Sequence, residues 1–335
     1  MNDNRFYAAL MLELPPVHRA PHGQFESQYL EAVWGDQWNR MQRRADVARL
    51  FSDVKYWPRL VTLLSRIDSL AALADTVASM QMQQGTATAG HRATAQLYRA
   101  SVSAELIAAR THYRAEVSLF NCALGEPTDR YLPDDSLFEQ LPHLLVPLDT
   151  THHPLIEQAR ARLDQARSQR DLVSASLLPS VLVGYNSTTI IGYQKVTGVE
   201  RYFGNETRFG SVRLGLSVPL PTPWTMAALG AADAQITRAE WEHRSVSWEL
   251  ERMRLEARAL REAAAASVTT FERQSLHAAS TLEQVASVEL ANGTLDAYQW
   301  ALALDRTLTV ERAYLDARRR LIHASIQSEL LGDLQ

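Results

Sequence analysis

The feature that most constrains the fold is an internal duplication of the sequence. Residues 76–86 read TVASMQMQQGT and residues 284–294 read QVASVELANGT, so five matched positions carry the same residue. Each segment is followed at nearly the same distance by a Leu-Gly pair, first at Leu124-Gly125 and again at Leu331-Gly332. Self-similarity of this kind indicates that one structural unit is used twice along the chain.

The duplication extends upstream into a pattern of alternating apolar residues. Alternate residues from Phe6 to Leu14 are apolar and Pro15 follows, and the same phase runs from Val212 to Leu220 before Pro221. Alternation with a period of two is typical of a β-strand with one apolar face. Three matches in one order indicate a repeat period of a little over two hundred residues.

The second repeat, residues 152–335, predicts the order helix, β-hairpin, long helix, tight turn, helix. The first helix opens at His153-Pro154, where proline suits a first helical turn. A Gly-containing loop over about residues 194–207 is expected before the best strand of the chain. From Met226 to Asn292 there is no Pro and one Gly, which predicts a helix on the order of 100 Å long. The last helix is predicted to turn these apolar residues inward: Leu304, Leu308, Leu315, Ile322 and Ile326.

The first repeat, residues 1–125, predicts only the later part of that order: one strand, a long helix to Gln84, a turn at Gly85 and a helix to Leu124. Residues 126–151 are rich in Pro and Asp and are expected to link the repeats. The predicted fold class is therefore mainly α, with long antiparallel coiled-coil helices and a small β contribution. A 3-4-3-4 spacing typical of a coiled-coil seam runs through Leu250, Met253, Ala257, Leu260 and Ala264.

Composition excludes several classes of protein. With 46% hydrophobic residues and only 14 Gly and 13 Pro, the chain is neither disordered nor fibrous. A net charge of −4 gives no electrostatic footprint for nucleic acid, so no nucleic-acid partner is expected.

The single cysteine, Cys122, excludes an intrachain disulfide and is expected to be a small buried hydrophobe. No stretch approaches the roughly 18 apolar residues of a membrane-spanning helix, and the N-terminus does not resemble a signal peptide.

No pattern in the sequence indicates catalysis or a cofactor. A phosphate-binding glycine loop, a G-x-S-x-G turn and an H-E-x-x-H helix are all absent from the sequence, so the chain is not expected to be an enzyme. His152 and His153, with His143 nearby, raise the alternative of a metal site. Adjacent imidazoles point apart in most backbones and no carboxylate or thiol completes the set, so an ordinary helix start is favoured.

The order of these elements resembles the TolC family of outer-membrane efflux channels. Four local features carry the resemblance: the His-Pro helix opening, the strand end VRLGLSVPLP, the helix break ANGTLDAY and the closing Leu-Leu-Gly. The similarity covers nearly the whole chain and is greatest from His153 to Gly332. The hairpin region, residues 192–220, most resembles channels that serve heavy-metal pumps of the resistance-nodulation-division type.

The resemblance implies a homotrimer whose protomers give strands to one barrel in the outer membrane and long helices to a periplasmic tunnel. It implies a passive exit duct for small solutes, heavy-metal cations among them, that docks a periplasmic adaptor and an inner-membrane pump and needs no cofactor. The implied docking tips are Gly85, Thr86, Gly293, Thr294, Leu295 and Asp296. The strand would place Arg213 and Ser217 toward the lumen, and Val212, Leu214, Leu216 and Val218 toward outer-membrane lipid.

Three tryptophans allow two interpretations each, a membrane or surface position and a packing position. Trp224, directly after the strand, is either an anchor at the membrane interface or a packing residue, whereas Trp241 and Trp248, at heptad spacing, favour packing. Family members also carry a secretion signal, a helix and a strand ahead of the position matched by Met1. The sequence therefore leaves an alternative open, a truncated, non-transporting helical relic that is soluble or aggregated.

Overall fold

A computed structural model describes residues 5–12, 15–131, 152–189, 191–204 and 206–332. The elements, in chain order, are β1 (Arg5–Leu12), α1 (Pro15–Gln83), α2 (Ala89–Ala123), α3 (Pro154–Ala175), β2 (Ser180–Thr189), β3 (Gly192–Val196), β4 (Val199–Phe203), β5 (Arg208–Ser217), α4 (Pro223–Thr270), a π-helical turn (Phe271–Ser275), α5 (Leu276–Ala291) and α6 (Ala297–Leu330). The predicted fold class, mainly helical with a small β component, is confirmed.

The chain forms two compact units that cut across the predicted repeats. One unit contains Met1–Asp36 and Pro154–Trp248, and the other contains Gln37–His153 and Glu249–Gln335. Each unit therefore draws on both halves of the sequence. The boundaries 1–125, 126–151 and 152–335 describe the sequence repeat and stay a prediction, and most of the linker lies outside the described residues.

The first unit contains a three-stranded antiparallel sheet in the order β1-β2-β5. Its register places Phe6 opposite Ser187 and Tyr185 opposite Val212. Side chains directly opposite one another share a face of the sheet, so the predicted alternation produces one continuous apolar face. That face includes these side chains: Phe6, Ala8, Leu10, Val181, Val183, Tyr185, Val212, Leu214 and Leu216.

The predicted loop over residues 194–207 is wrong, because most of it is a second β-hairpin. Strands β3 and β4 pair antiparallel, with Val196 opposite Val199. The two residues between them, Thr197 and Gly198, have φ of 51° and 86°. Positive φ at both central positions is what a tight two-residue hairpin requires. A Thr-Gly pair between short β-branched and aromatic runs was the signal that could have found it.

The second unit is built on apolar packing between helices. Its main cluster brings Leu64 and Ile67 of α1 against Trp300 and Leu304 of α6, all nearly inaccessible to solvent. Burying each side chain of this size contributes about 1.5–3 kcal/mol. The inward orientation predicted for the last helix is confirmed: Leu304, Leu308, Ile322 and Ile326 are buried, and Leu315 packs partly against the same cluster.

The coiled-coil seam predicted along α4 is only partly correct. Leu250 and Ala257 are buried, but Leu260 is 63% exposed. The buried positions instead follow spacings of seven and eleven residues, which together make five turns of about 3.6 residues each. A helix with that period stays straight, so a strict seven-residue seam drifts off the buried face. The buried residues are Ala232, Ala239, Leu250, Ala257 and Val268.

Two further expectations about single residues are wrong. Cys122 is exposed, because the preceding residue, Asn121, takes the inward position and one helical step turns Cys122 toward solvent. Trp241 and Trp248 are not buried within the chain, since they are 57% and 66% exposed, and the Arg244 guanidinium lies 5.2 Å from the centre of the Trp241 ring. Their heptad spacing instead places both on one open stripe of α4, with the exposed Leu255 seven residues further on.

Candidate functional site

The first candidate site is the turn that joins α1 to α2. Gly85 has φ of 76°, and the amide of the next residue, Thr86, donates to the carbonyl of Gln81 at 2.9 Å. The Thr86 hydroxyl donates to the same carbonyl at 3.0 Å. The following helix is then capped by Thr88, whose hydroxyl accepts from the amide of His91 at 3.3 Å. Glycine is needed at this turn because its left-handed conformation is strained for other residues.

The turn that joins α5 to α6 repeats this geometry bond for bond. Gly293 has φ of 73°, and the amide and hydroxyl of Thr294 donate to the carbonyl of Glu289 at 2.9 and 3.0 Å. Asp296 caps α6 by accepting from the amide of Gln299 at 2.7 Å. The sequence duplication is therefore also a duplication of local structure at the two turns.

The structure brings the two turns together side by side. The rings of His91, in α2, and Tyr298, in α6, are stacked at 5.9 Å, and the Nδ1 atom of His91 lies 3.9 Å from a carboxylate oxygen of Asp296. Beneath them, Ala78, Ala95 and Ala297 are almost completely buried, and their small side chains allow the helices to approach closely. We refer to this paired surface as the double tip.

The exposure of the double tip is uneven among the predicted residues. Gly85, Thr86, Gly293 and Thr294 are exposed, whereas Leu295 packs partly against the main apolar cluster. Large apolar side chains that the sequence reasoning missed surround the tip. They are Met80, Met82, Val285, Val288 and Tyr298, each between 38% and 60% exposed.

The second candidate site is the sheet of the first unit. Arg213 lies opposite Gly184, and Ser217 lies opposite Ser180, on the face that carries the polar residues together with Met11, Leu182 and Phe209. Val212, Leu214 and Leu216 lie on the apolar face, at 69%, 74% and 70% exposure. The two predicted faces are therefore separated as the alternation requires.

Val218 is an exception to the prediction, because β5 ends at Ser217. The partner of Ser217, Ser180, is the first residue of β2 and follows Pro179, while Pro219 follows Val218. Proline has no amide to donate to a ladder, so the pairing stops one residue before Val218. Val218 is 57% exposed beyond the end of the strand.

His153 has a structural position rather than the geometry of a metal ligand. It is buried against Trp38, with ring centroids 5.3 Å apart, and hydrogen-bonds the backbone of Leu330 at the end of α6. Burial and the nearby Arg254 guanidinium lower the pKa of His153 to about 4. Arg254 donates to the carbonyl of Leu331 at 2.8 Å, so both residues hold the end of α6. Groups of three or more metal-ligating side chains are absent from the described ranges, and His143 lies outside them.

A polar junction between α1 and α6 is not indicated by any sequence pattern. One carboxylate oxygen of Asp53 accepts from Arg319 Nε at 2.6 Å and lies 2.9 Å from His323 Nε2. Burial raises the pKa of Asp53, but hydrogen bonds and charge from His323 and Arg319 outweigh it and leave the pKa below its ordinary value. Nearby, the Tyr56 hydroxyl donates to Asp316 at 2.6 Å. These partners are about 260 residues apart in the chain, beyond the reach of any local pattern.

Comparison with known proteins identifies the class. Residues 149–330 match the family of outer membrane efflux proteins, and since the match covers more than half of the chain, the chain belongs to this family. Within the described residues, no helix is both long and apolar enough to cross a membrane. A comparison with curated proteins gives no significant match.

Several solved structures share the fold over nearly the whole chain. VceC, an outer membrane protein of Vibrio cholerae, is 16% identical with a TM-score of 0.77, covering 99% of this chain and 86% of its own. The open MtrE outer membrane channel of Neisseria gonorrhoeae is 17% identical with a TM-score of 0.79, covering 100% and 80%. CusC is 12% identical with a TM-score of 0.77, covering 99% and 82%. The predicted TolC-like fold is confirmed.

Proposed function

We propose that the protein is one subunit of a trimeric outer-membrane channel that acts as the passive exit duct of a tripartite efflux system. Strands β1, β2 and β5 contribute to a shared barrel, with their apolar face toward lipid and Arg213 and Ser217 toward the lumen. The helices extend into the periplasm, where the double tip contacts an adaptor protein. An inner-membrane pump of the resistance-nodulation-division type supplies the energy, so the subunit itself carries no cofactor and performs no chemistry.

The double tip is the observation that carries this proposal. Two turns with the same hydrogen bonds lie together, and exposed Met80, Val288 and Tyr298 lie close to them in the chain. An exposed apolar surface at the ends of long helices is suited to a helical partner, because amphipathic helices bury their apolar face on such surfaces. Membership of the outer membrane efflux protein family supports the same role.

Heavy-metal cations are one candidate class of solute, favoured by the sequence of the hairpin region. The similarity to CusC supports the fold alone, because the two chains are only 12% identical.

Gly293→Leu tests the docking role. No atom lies within 4 Å of a Cβ built at Gly293, so the new side chain projects into open space and should block a partner without a clash inside the chain. The strained φ costs about 1–2 kcal/mol, which the long helices should tolerate. We expect loss of efflux and of cross-linking to the host adaptor, with the helical circular dichroism unchanged.

Gly230→Leu is the matched control, since Gly230 is also an exposed glycine with open space around it but lies within α4. Unchanged efflux and cross-linking in Gly293→Leu would refute the docking role. The same cells are separated into membrane and soluble fractions, and the protein is expected in the outer membrane. Recovery only in the soluble or aggregated fraction would contradict the channel and favour a non-transporting relic.

A further inference from the structure

We propose that Arg213 gives the channel a preference for anionic solutes, because three copies would place a ring of positive charge in the lumen. The inference deepens the proposed function and rests on it. The solutes it favours carry a carboxylate, phosphate or sulfonate group. It follows that free heavy-metal cations are disfavoured at the level of this ring.

The neighbours of Arg213 give its side chain room on the polar face. Its cross-strand partner is Gly184, and Gly184 is in turn paired with Ala9 of β1. A Cβ built at Gly184 would lie 3.7 Å from the Cβ of Arg213 and 3.5 Å from the hydroxyl of Tyr7. The row across all three strands is therefore arginine, glycine and alanine, and the ring of Tyr7 from the neighbouring row lies over Gly184 beside the arginine.

The next row on this face is polar and uncharged. Tyr7 is paired with Asn186, and Asn186 is paired with Ser211. Amide and hydroxyl groups hydrogen-bond a solute without selecting the sign of its charge. Within these two rows the charge comes from Arg213, and Arg5, paired with Thr188 one row further on, is a second basic position on the same face.

The positive charge of Arg213 is not balanced within the sheet. Strands β1, β2 and β5 contain no Asp or Glu at all, but contain three arginines: Arg5, Arg208 and Arg213. Among the residues described by the structure, no ion pair of Arg213 is found, and its side chain is exposed. The neighbouring hairpin differs, because Lys195 of β3 lies directly opposite Glu200 of β4.

An unbalanced guanidinium in a water-filled passage attracts anions and repels cations. Rings of Arg or Lys select anions in pores for this reason. The planar donor set of Arg also matches the oxygens of carboxylates and phosphates better than an ammonium group does. Threefold symmetry would multiply the effect, since a trimer brings three such charges to one level.

Reversal potentials across a planar bilayer test the inference. The purified protein is inserted into uncharged diphytanoyl-phosphatidylcholine with a KCl gradient, and wild type is compared with Arg213→Gln and Arg213→Glu. We expect a roughly threefold fall in the chloride-to-potassium permeability ratio for Arg213→Gln, since screening over about 10 Å weakens the field of the three charges. Arg213→Glu should shift the ratio further in the same direction.

Arg208→Gln is the matched control. Arg208 is in the same strand but is paired with Thr189 on the opposite face, so its removal changes net charge equally without changing this face. Equal reversal potentials for wild type and both Arg213 variants would overturn the inference and leave the channel proposal standing. An equal shift in Arg208→Gln would also overturn it, because net charge would then explain the effect. Absence of any conductance in wild type would overturn the channel itself.

Discussion

His153 shows how one buried side chain makes folding sensitive to pH. Its ring contacts Trp38 and holds the end of α6, and a positive charge there would be both desolvated and close to Arg254. The folded protein therefore keeps the imidazole neutral to lower pH than the unfolded chain does. Between pH 6.5 and about 4, the unfolded state binds a proton that the folded state does not.

We predict that stability falls as the pH is lowered from 6.5 toward 4, by up to roughly 3 kcal/mol from this residue. His153→Gln retains an amide that can hydrogen-bond Leu330 but does not titrate, and it should flatten the pH dependence of the urea midpoint. His152→Gln is the control, since His152 is exposed beside it. An equal slope in wild type and His153→Gln would contradict the prediction.

The residues that sequence patterns identified are those whose role is local. Gly85 and Gly293 were found because a left-handed turn has its own signature. No sequence pattern predicts the contacts of Asp53, Asn121 and His153, because their partners come close only in the folded chain. Asp53 is the clearest case, since Arg319 and His323 lie 266 and 270 residues further along the chain.

Pairing between elements depends on polar as well as apolar contacts. Asp53 joins α1 to α6 through Arg319 and His323, and its carboxylate is largely buried. Removing the charge leaves two donors facing a weaker acceptor. We predict that Asp53→Asn lowers the free energy of unfolding by about 2 kcal/mol, within the range for buried charge-assisted hydrogen bonds.

Asp46→Asn provides the comparison within the same helix. Asp46 pairs with Arg49 at 2.8 Å, but its side chain is 63% exposed, so its loss should change stability by less than about 0.5 kcal/mol. Urea titrations of both variants measure the difference. Equal destabilisation by the two substitutions would show that the junction is no more important than a surface pair.

At the level of helices and strands, sequence patterns predicted most of what is present. Helices up to Gln83 and Ala123 and the faces of β5 followed from period and from turn residues. The β3-β4 hairpin is not predicted, because glycine residues between short strands are also typical of a loop. The seam of α4 was misplaced because the small buried residues Ala232 and Ala239, rather than Leu260, face inward, and alanine is a weak signal of burial.

In the proposed trimer, the open stripe of α4 would pack against a second subunit. Trp241, Trp248 and Leu255 are each more than half exposed, and large apolar stripes of this kind usually mark interfaces. In the proposed trimer they would pack against the next subunit. We predict that Trp241→Gln combined with Trp248→Gln converts the trimer to monomer in detergent while preserving helix content.

Native mass spectrometry measures this change directly. Glu249→Gln serves as the control, because Glu249 is an exposed polar position next to the stripe on the same helix. A stable trimer in the double variant would place the subunit interface elsewhere. A monomeric wild type would contradict the proposed assembly as a whole.

The interleaving of the two compact units sets the order in which the chain can fold. The first strand has its partner about 180 residues later, at Phe6 opposite Ser187, and the helix that buries Leu64 and Ile67 is the last one in the chain. The first unit has all of its parts only when the chain has been synthesised to Trp248, and the second only at the end of the chain. The apolar surface of an early segment therefore stays exposed until its partner has been synthesised. Long-range pairing of this kind makes folding slow. Pairing across such distances lengthens the time that the chain spends unfolded, compared with a chain whose neighbouring elements pair with one another.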